Sequence, residues 1–259
     1  MQTAIGIARL AVALADSRQG AADIQSKQGI DIVTAADLAV EDLIRTKLGE
    51  AFPEHQVVGE ERGGVIQSGS PYWLVDPICG TRCYAASLPL YCTNIALVEN
   101  DTVTAAVVGI GRSDEILYAE RGSGAWLLTL EHRDTPIRVS DKSRGLWIGG
   151  GTKHMANTVR AAVLANAWNV WLFHSTVSYA YLAMGRIAGL LQFSSADSMP
   201  TPNVHSAAGC LIAQEAGAVV TDMQGAPWGP TTQSFTIAAN EILHRQLIDL
   251  QRQSRTKVR

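Results

Sequence analysis

The sequence predicts an α/β sandwich, and three observations carry that prediction. Helix-like and strand-like segments alternate along the whole chain. The stretch from Thr93 to Glu120 alternates apolar and polar residues in the manner of antiparallel strands. Thr34-Ala35-Ala36-Asp37 is a capping-box-like helix start, followed by Leu38, Val40, Leu43, Ile44 and Leu48 at helical spacing.

The elements follow in order. The apolar, alanine-rich run from Ile5 to Leu14 predicts an amphipathic helix; it lacks the basic flank and cleavage site of a signal peptide. The helix opened by Thr34 runs to about Phe52, where Pro53 stops it. Gln56 to Gly59 is a short strand, and Gly63 to Ser70 has the composition of a mobile loop. Tyr72 to Val75 is a buried strand, and a helix begins just after Gly80. Thr93–Glu99, Thr102–Gly109 and Ile116–Glu120 are strands, the first two joined by a turn at Asn100-Asp101. In the second half, Leu146–Gly149, Leu190–Phe193, Ala218–Thr221 and Thr236–Ala239 read as strands. Thr158–Ala167, Ser175–Gly185, Val204–Ala216 and Glu241–Arg252 read as helices, with Gly217 at a C-terminal cap.

Composition excludes several classes. Hydrophobic residues at 47% and charged residues at 17% describe an ordinary globular protein, not a disordered one. A net charge of −3 gives no electrostatic case for nucleic acid. No apolar run is long enough for a membrane span. The four cysteines show neither zinc-finger spacing nor a disulfide framework, so they read as free thiols of a cytoplasmic protein. Cys83, Cys92 and Cys210 read as small hydrophobes, and His55 and His244 as surface residues.

Trp73-Leu74-Val75-Asp76-Pro77-Ile78-Cys79-Gly80-Thr81 carries the chemistry. It resembles the metal and phosphate loop of the inositol monophosphatase family, W-x-[IV]-D-P-[IL]-D-G-T. Further segments match in family order: Asp31 to Asp37, Gly59-Glu60-Glu61, Leu117-Tyr118-Ala119 before Gly122-Ser123-Gly124-Ala125, Ala207-Ala208-Gly209 through Glu215-Ala216-Gly217, and Ala238-Ala239-Asn240. The resemblance implies a five-layered αβαβα sandwich and a homodimer. It implies one unit over residues 1–259, with an α+β half at about 1–140 and an α/β half at about 141–259.

The resemblance also implies roles. Glu60, Asp76 and the Ile78 carbonyl match the ligands of a first magnesium, hard oxygen donors that suit the ion. Thr81 and Asp37 match the pair that orients the attacking water. Gly80, Thr81 and Arg82 fall on the phosphate side of the loop. Lys27 weakly matches a family lysine, His174 falls near a small polar position, and Asp197 or Ser198 falls where a substrate-binding acidic residue is common. Two ligands of a second magnesium depart from the pattern. Cys79 replaces an aspartate in the loop, and His205 replaces the aspartate of the family's W-D-x-A-A-G segment, where Val204 also replaces the tryptophan.

Thiol and imidazole are poor magnesium ligands and good zinc ligands. The leading expectation is a repurposed enzyme needing no metal. Cys79 would be the nucleophile, activated at a helix N-terminus, with His205 as base and Asp76 as its orienter, for acyl transfer, cyclisation or hydrolysis. The first alternative is a divergent metal-dependent phosphomonoesterase acting on a sugar, inositol or nucleotide phosphate, with magnesium, or with zinc at Asp76, Cys79 and His205. The second is a catalytically inactive binding protein on the same fold. In the catalytic readings the partner is a small-molecule substrate.

Overall fold

The computed structural model describes residues 1–20, 24–26, 32–129, 131, 134–140, 142, 145–149, 163, 169–172, 177–194 and 202–256. Its helices are α1 (Gln2–Arg18), α2 (Ala35–Ala51), α3 (Thr81–Ala85), α4 (Val177–Ala183), α5 (Ala207–Glu215) and α6 (Glu241–Thr256). A small hairpin pairs β1 (Ile24–Ser26) with β2 (Ile32–Thr34). A seven-stranded sheet holds β3 (Gln56–Gly59), β4 (Tyr72–Cys79), β5 (Cys92–Glu99), β6 (Thr102–Ile110), β7 (Ile116–Glu120), β8 (Ala125–Leu128) and β9 (Asp134–Ile137) in sequence order. Only β3 and β4 pair in parallel there. The other sheet is mixed, with order β11 (Asn169–Leu172), β10 (Gly145–Gly149), β12 (Gly189–Gln192), β14 (Phe235–Ala238), β13 (Val219–Asp222).

Side-chain alternation sorts these elements into five layers. On β4, Trp73, Val75 and Ile78 join Ile5, Ala8 and Ala11 of α1 and Val40, Ile44 and Leu48 of α2 in one core. Leu74 and Cys79 point the other way, into a second core with Leu182 of α4, Leu211 of α5 and Phe235 and Ile237 of the smaller sheet. Leu247 and Leu250 of α6 close the far face of that sheet against Leu191 and Ala238. The order is helix, sheet, helix, sheet, helix, the αβαβα sandwich the resemblance implies.

Alternation along β4 breaks once. The register against β5 shifts between Asp76 and Cys79, a β-bulge that includes Pro77. Residues three apart in a regular strand face opposite sides. The bulge reverses the parity, so Cys79 faces the same layer as Leu74 while Ile78 faces the other. Proline is tolerated there because a bulge leaves a ladder position unpaired.

Several sequence expectations are corrected in detail. α5 begins at Ala207, not Val204. The preceding residues form a turn because Asn203 anchors it: its N–H donates to Pro230 O (2.8 Å) and its Nδ2 to Thr232 O (3.0 Å). β4 extends through the loop motif to Cys79. β9 went unforeseen because only Ile137 of its four residues is buried. His244 is buried, its Nε2 2.8 Å from Thr221 Oγ1. His55 stacks on Phe52 with ring centroids 5.3 Å apart. The helix predicted at Thr158–Ala167 falls almost wholly outside the described residues. No helix among those described is long and apolar enough to cross a membrane.

Burial lowers the His244 imidazole below its ordinary 6.5. The folded state therefore favours the neutral ring. Its contribution is complete above the unfolded value and is lost as pH falls through the folded one. His244→Gln should flatten the fall in stability below about pH 6.5, read from urea midpoints at neutral and mildly acid pH; an unchanged slope would disprove this.

Candidate active site

The bulge delivers Asp76 and Cys79 to the turn that starts α5. His205 sits on that turn, and its Nδ1 lies 2.8 Å from Asp76 Oδ2. One ligand atom from each of Asp76, Cys79 and His205 lies within 4.8 Å of the other two. Asn94 of β5 steadies the turn, donating from Nδ2 to His205 O at 3.3 Å. Asp76 is fully buried, and its Oδ1 has no hydrogen-bond partner among the described residues. Burial, with the adjacent Cys79, pushes its carboxyl up to about 7. Burial opposes a charged His205 ring, but hydrogen bonds to Asp76 and Cys79 outweigh it and hold the imidazole above its ordinary value. The ring is about half exposed, at 49%, which softens the burial effect.

Glu60 follows β3, and its Oε2 lies 3.8 Å from His205 Nδ1. Its backbone is gripped from α2. The fully buried Glu41 carboxylate accepts from Glu61 N (2.7 Å), Arg62 N (3.0 Å) and Arg45 Nε (2.8 Å). Arg45 also donates to Val57 O at 3.1 Å and to Gly63 O. A Cβ on Gly59 would collide with the Glu41 carboxylate, so glycine is required before Glu60.

Asp37 is both helix cap and site residue. Its Oδ2 accepts from Thr34 N (2.8 Å) and Thr34 Oγ1 (2.6 Å), completing the predicted capping box. Its Oδ1 lies 3.2 Å from Thr81 Oγ1, which is also 3.1 Å from Ile78 O. Burial raises the Asp37 carboxyl, the Thr34 bonds lower it in part, and the nearby Glu60 charge raises it further. Beside this cluster lies a cavity of about 450 Å³ whose walls include Glu60, Gly63, Gly64, Asn203, His205 and Gln233.

The structure therefore gathers Asp37, Glu60, Asp76, Ile78, Cys79, Thr81 and His205. Gly80 turns the chain from β4 into α3 with φ +102°, a left-handed conformation suited to glycine. Arg82 follows on α3 with an exposed side chain. Lys27, His174, Asp197 and Ser198 lie outside the described residues. Glu41, Arg45, Asn94, Asn203 and Gln233 went unnoticed in the sequence. Glu41 could have been found: it lies four residues after Asp37 on the face that carries Ile44 and Leu48.

Cys79 immediately precedes Gly80, the N-cap of the five-residue α3, as expected, but it is also the last residue of β4 and only 4% exposed. A hydrogen bond with Cys92 and burial push its thiol far above the ordinary range, which His205 only partly offsets.

The profile of the "Inositol monophosphatase family" matches residues 1–256. The chain belongs to that family. It is 31% identical over 231 residues to an inositol-1-monophosphatase of Mesorhizobium japonicum, covering 84% of this chain and 82% of that one. It is 30% identical over 262 residues to a histidinol-phosphatase of Mycobacterium tuberculosis, covering 92% and 95%. Among solved structures, a Thermotoga maritima IMPase superposes with a TM-score of 0.81 at 25% identity, covering 99% of this chain and 98% of that one.

The family is named for a phosphatase activity, and these relatives are named as phosphatases. This overturns the expected covalent Cys79–His205 enzyme, its transferase chemistry and its independence of metal. The buried, proton-retaining thiol is the physical counterpart of that correction, because the thiolate is the nucleophile.

Two outcomes follow from this placement. Iodoacetamide at neutral pH should modify the half-buried Cys83 before Cys79; faster labelling of Cys79, read by peptide mass spectrometry, would contradict the buried thiol. Arg45→Ala leaves the Glu41 carboxylate buried without its ionic partner. It should cost on the order of 3 kcal/mol of stability in urea denaturation, whereas a loss under about 0.5 kcal/mol would place Arg45 with ordinary surface residues.

Proposed function

We propose that the chain is a metal-dependent phosphomonoesterase acting on a small sugar, inositol or nucleotide phosphate. The observation that carries this reading is the fully buried Asp76, whose Oδ1 meets no hydrogen-bond donor among the described residues, with the Glu60 carboxylate beside it. A bare carboxylate oxygen inside a protein is costly unless something charged meets it. These oxygens fit magnesium. Glu60, Asp76 and the Ile78 carbonyl would hold it, and the ion would polarise a phosphoryl oxygen and make water a better nucleophile. A second magnesium does not fit. Two of its three donors would be a thiol and an imidazole.

The chain's own residues supply the remaining chemistry. Thr34 fixes one oxygen of Asp37, leaving the other aimed at Thr81. The raised affinity of Asp37 for a proton suits it to accept one from water oriented by the Thr81 hydroxyl. The cavity of about 450 Å³ beside Glu60 and His205 has the size of a small-molecule site. Relatives of near-equal similarity are named for different substrates. The cavity wall at Asn203, Val204 and Gln233 is where this reading places substrate choice. The reading includes one functional unit, supported by the core that joins both sheets, and a cytoplasmic homodimer, supported by family resemblance and by free cysteines.

Phosphate release should require magnesium and stop with a chelator. Glu60→Gln, Asp37→Asn and Thr81→Ala should each lower kcat by about 10²–10³-fold, with folding checked by circular dichroism. Turnover indifferent to chelator and to Glu60→Gln would defeat the reading.

A further inference from the structure

We propose that Asp76, Cys79 and His205 form a binding site for a zinc-class transition metal ion, in place of the second magnesium. The inference deepens the phosphatase reading by naming the ion of that site. Two observations support it independently of the family. The first is the donor set: one carboxylate, one thiol and one imidazole, the mixture that suits zinc and that magnesium refuses. The second is proximity. The ligand atoms lie within 4.8 Å of one another, and Nδ1 and Oδ2 are already 2.8 Å apart. A tetrahedral zinc with bonds of about 2.0–2.3 Å needs ligand separations of about 3.3–3.8 Å, so small side-chain rotations close the site.

The outer shell is also built. Metal-binding groups are held by neighbours that fix their orientation. Cys92 stands directly across the β4–β5 ladder from Cys79 and is in hydrogen-bond contact with it. Its Sγ also lies 3.7 Å from Asn94 Oδ1, and Asn94 Nδ2 holds the His205 carbonyl. Asn94 thus ties Cys92, the cross-strand neighbour of Cys79, to the His205 turn. His205 and Glu60 face the cavity, so a fourth position opens toward substrate. Three protein ligands with an open position is the arrangement of catalytic zinc. Binding releases the thiol proton and the proton shared between Asp76 and His205 to solvent, and leaves a thiolate bound to the ion.

Cobalt(II) is the probe, because a thiolate bound to it gives a near-ultraviolet charge-transfer band. Metal-depleted protein titrated with cobalt should show that band at one equivalent per chain. Zinc should abolish it, and a large excess of magnesium should not. Cys79→Ser should lose the band, and Cys83→Ser should keep it. If Cys79→Ser does not fold, His205→Asn, at a half-exposed position, carries the same expectation of lost binding. No band in the parent protein, a band surviving both variants, or displacement by magnesium overturns the proposal. Magnesium-dependent phosphatase activity is measured separately. A band without phosphatase activity defeats only the functional reading, and activity without a band defeats only the zinc site.

Discussion

The β-bulge between Asp76 and Cys79 is the constraint on which the site depends. In a regular strand these two residues would face opposite layers, and Cys79 would point toward α1 and α2. The extra residue turns both toward the start of α5, where His205 waits. Pro77 favours the irregularity because it cannot donate to the ladder. Thr93 reinforces it by donating from Oγ1 to Pro77 O at 2.8 Å. Removing the bulge would leave every residue present and the cluster dispersed.

Helix α2 holds the other side of the cleft. One face of one helix carries Asp37, which meets Thr81, and Glu41, which grips the turn bearing Glu60. The two carboxylates are four residues apart, so they stack on one side of the helix. That helix is anchored through Val40, Ile44 and Leu48 against β4 itself. The geometry between Asp37, Glu60 and Asp76 is therefore set by packing of a helix on the strand that carries Asp76.

How much of this was legible follows from where the signals are local. The capping box at Thr34, the turn at Asn100-Asp101 and the strand from Tyr72 are short-range patterns, and all were readable. The two residues of the Asn100-Asp101 turn have φ of +49° and +57°, the conformation a tight hairpin demands. The Asp76 loop and the chain-long order of motifs made the five-layered fold readable through resemblance. The state of Cys79 was not. Glycine and threonine after it suggested a helix terminus, but the strand continues through the bulge and α3 spans only five residues. Its burial and its contact with Cys92 depend on pairing across β5, which no local pattern reveals. The grip of Glu41 on the Glu60 turn is equally non-local, since it joins residues 20 positions apart.

The coupling between Cys79 and His205 is best understood from the shared carboxylate. Asp76 belongs to both donor sets, one of oxygens with Glu60 and Ile78, one with sulfur and nitrogen. Replacing one aspartate alone would have left a mixed site that serves neither a hard nor a borderline ion well. Replacing both removes two charges from around Asp76. Burial, and not crowding by carboxylates, therefore holds its carboxyl up to about 7, with a proton shared with His205. Any divalent ion entering there must displace that proton, so binding at this cluster weakens as pH falls. The oxygen set depends less on the substitution, because Glu60 and the Ile78 carbonyl are positioned by α2 and by the Thr81 hydroxyl. The oxygen donors that the resemblance implies for the first ion are thus all present in this chain, while two of the three donors it implies for the second have become sulfur and nitrogen.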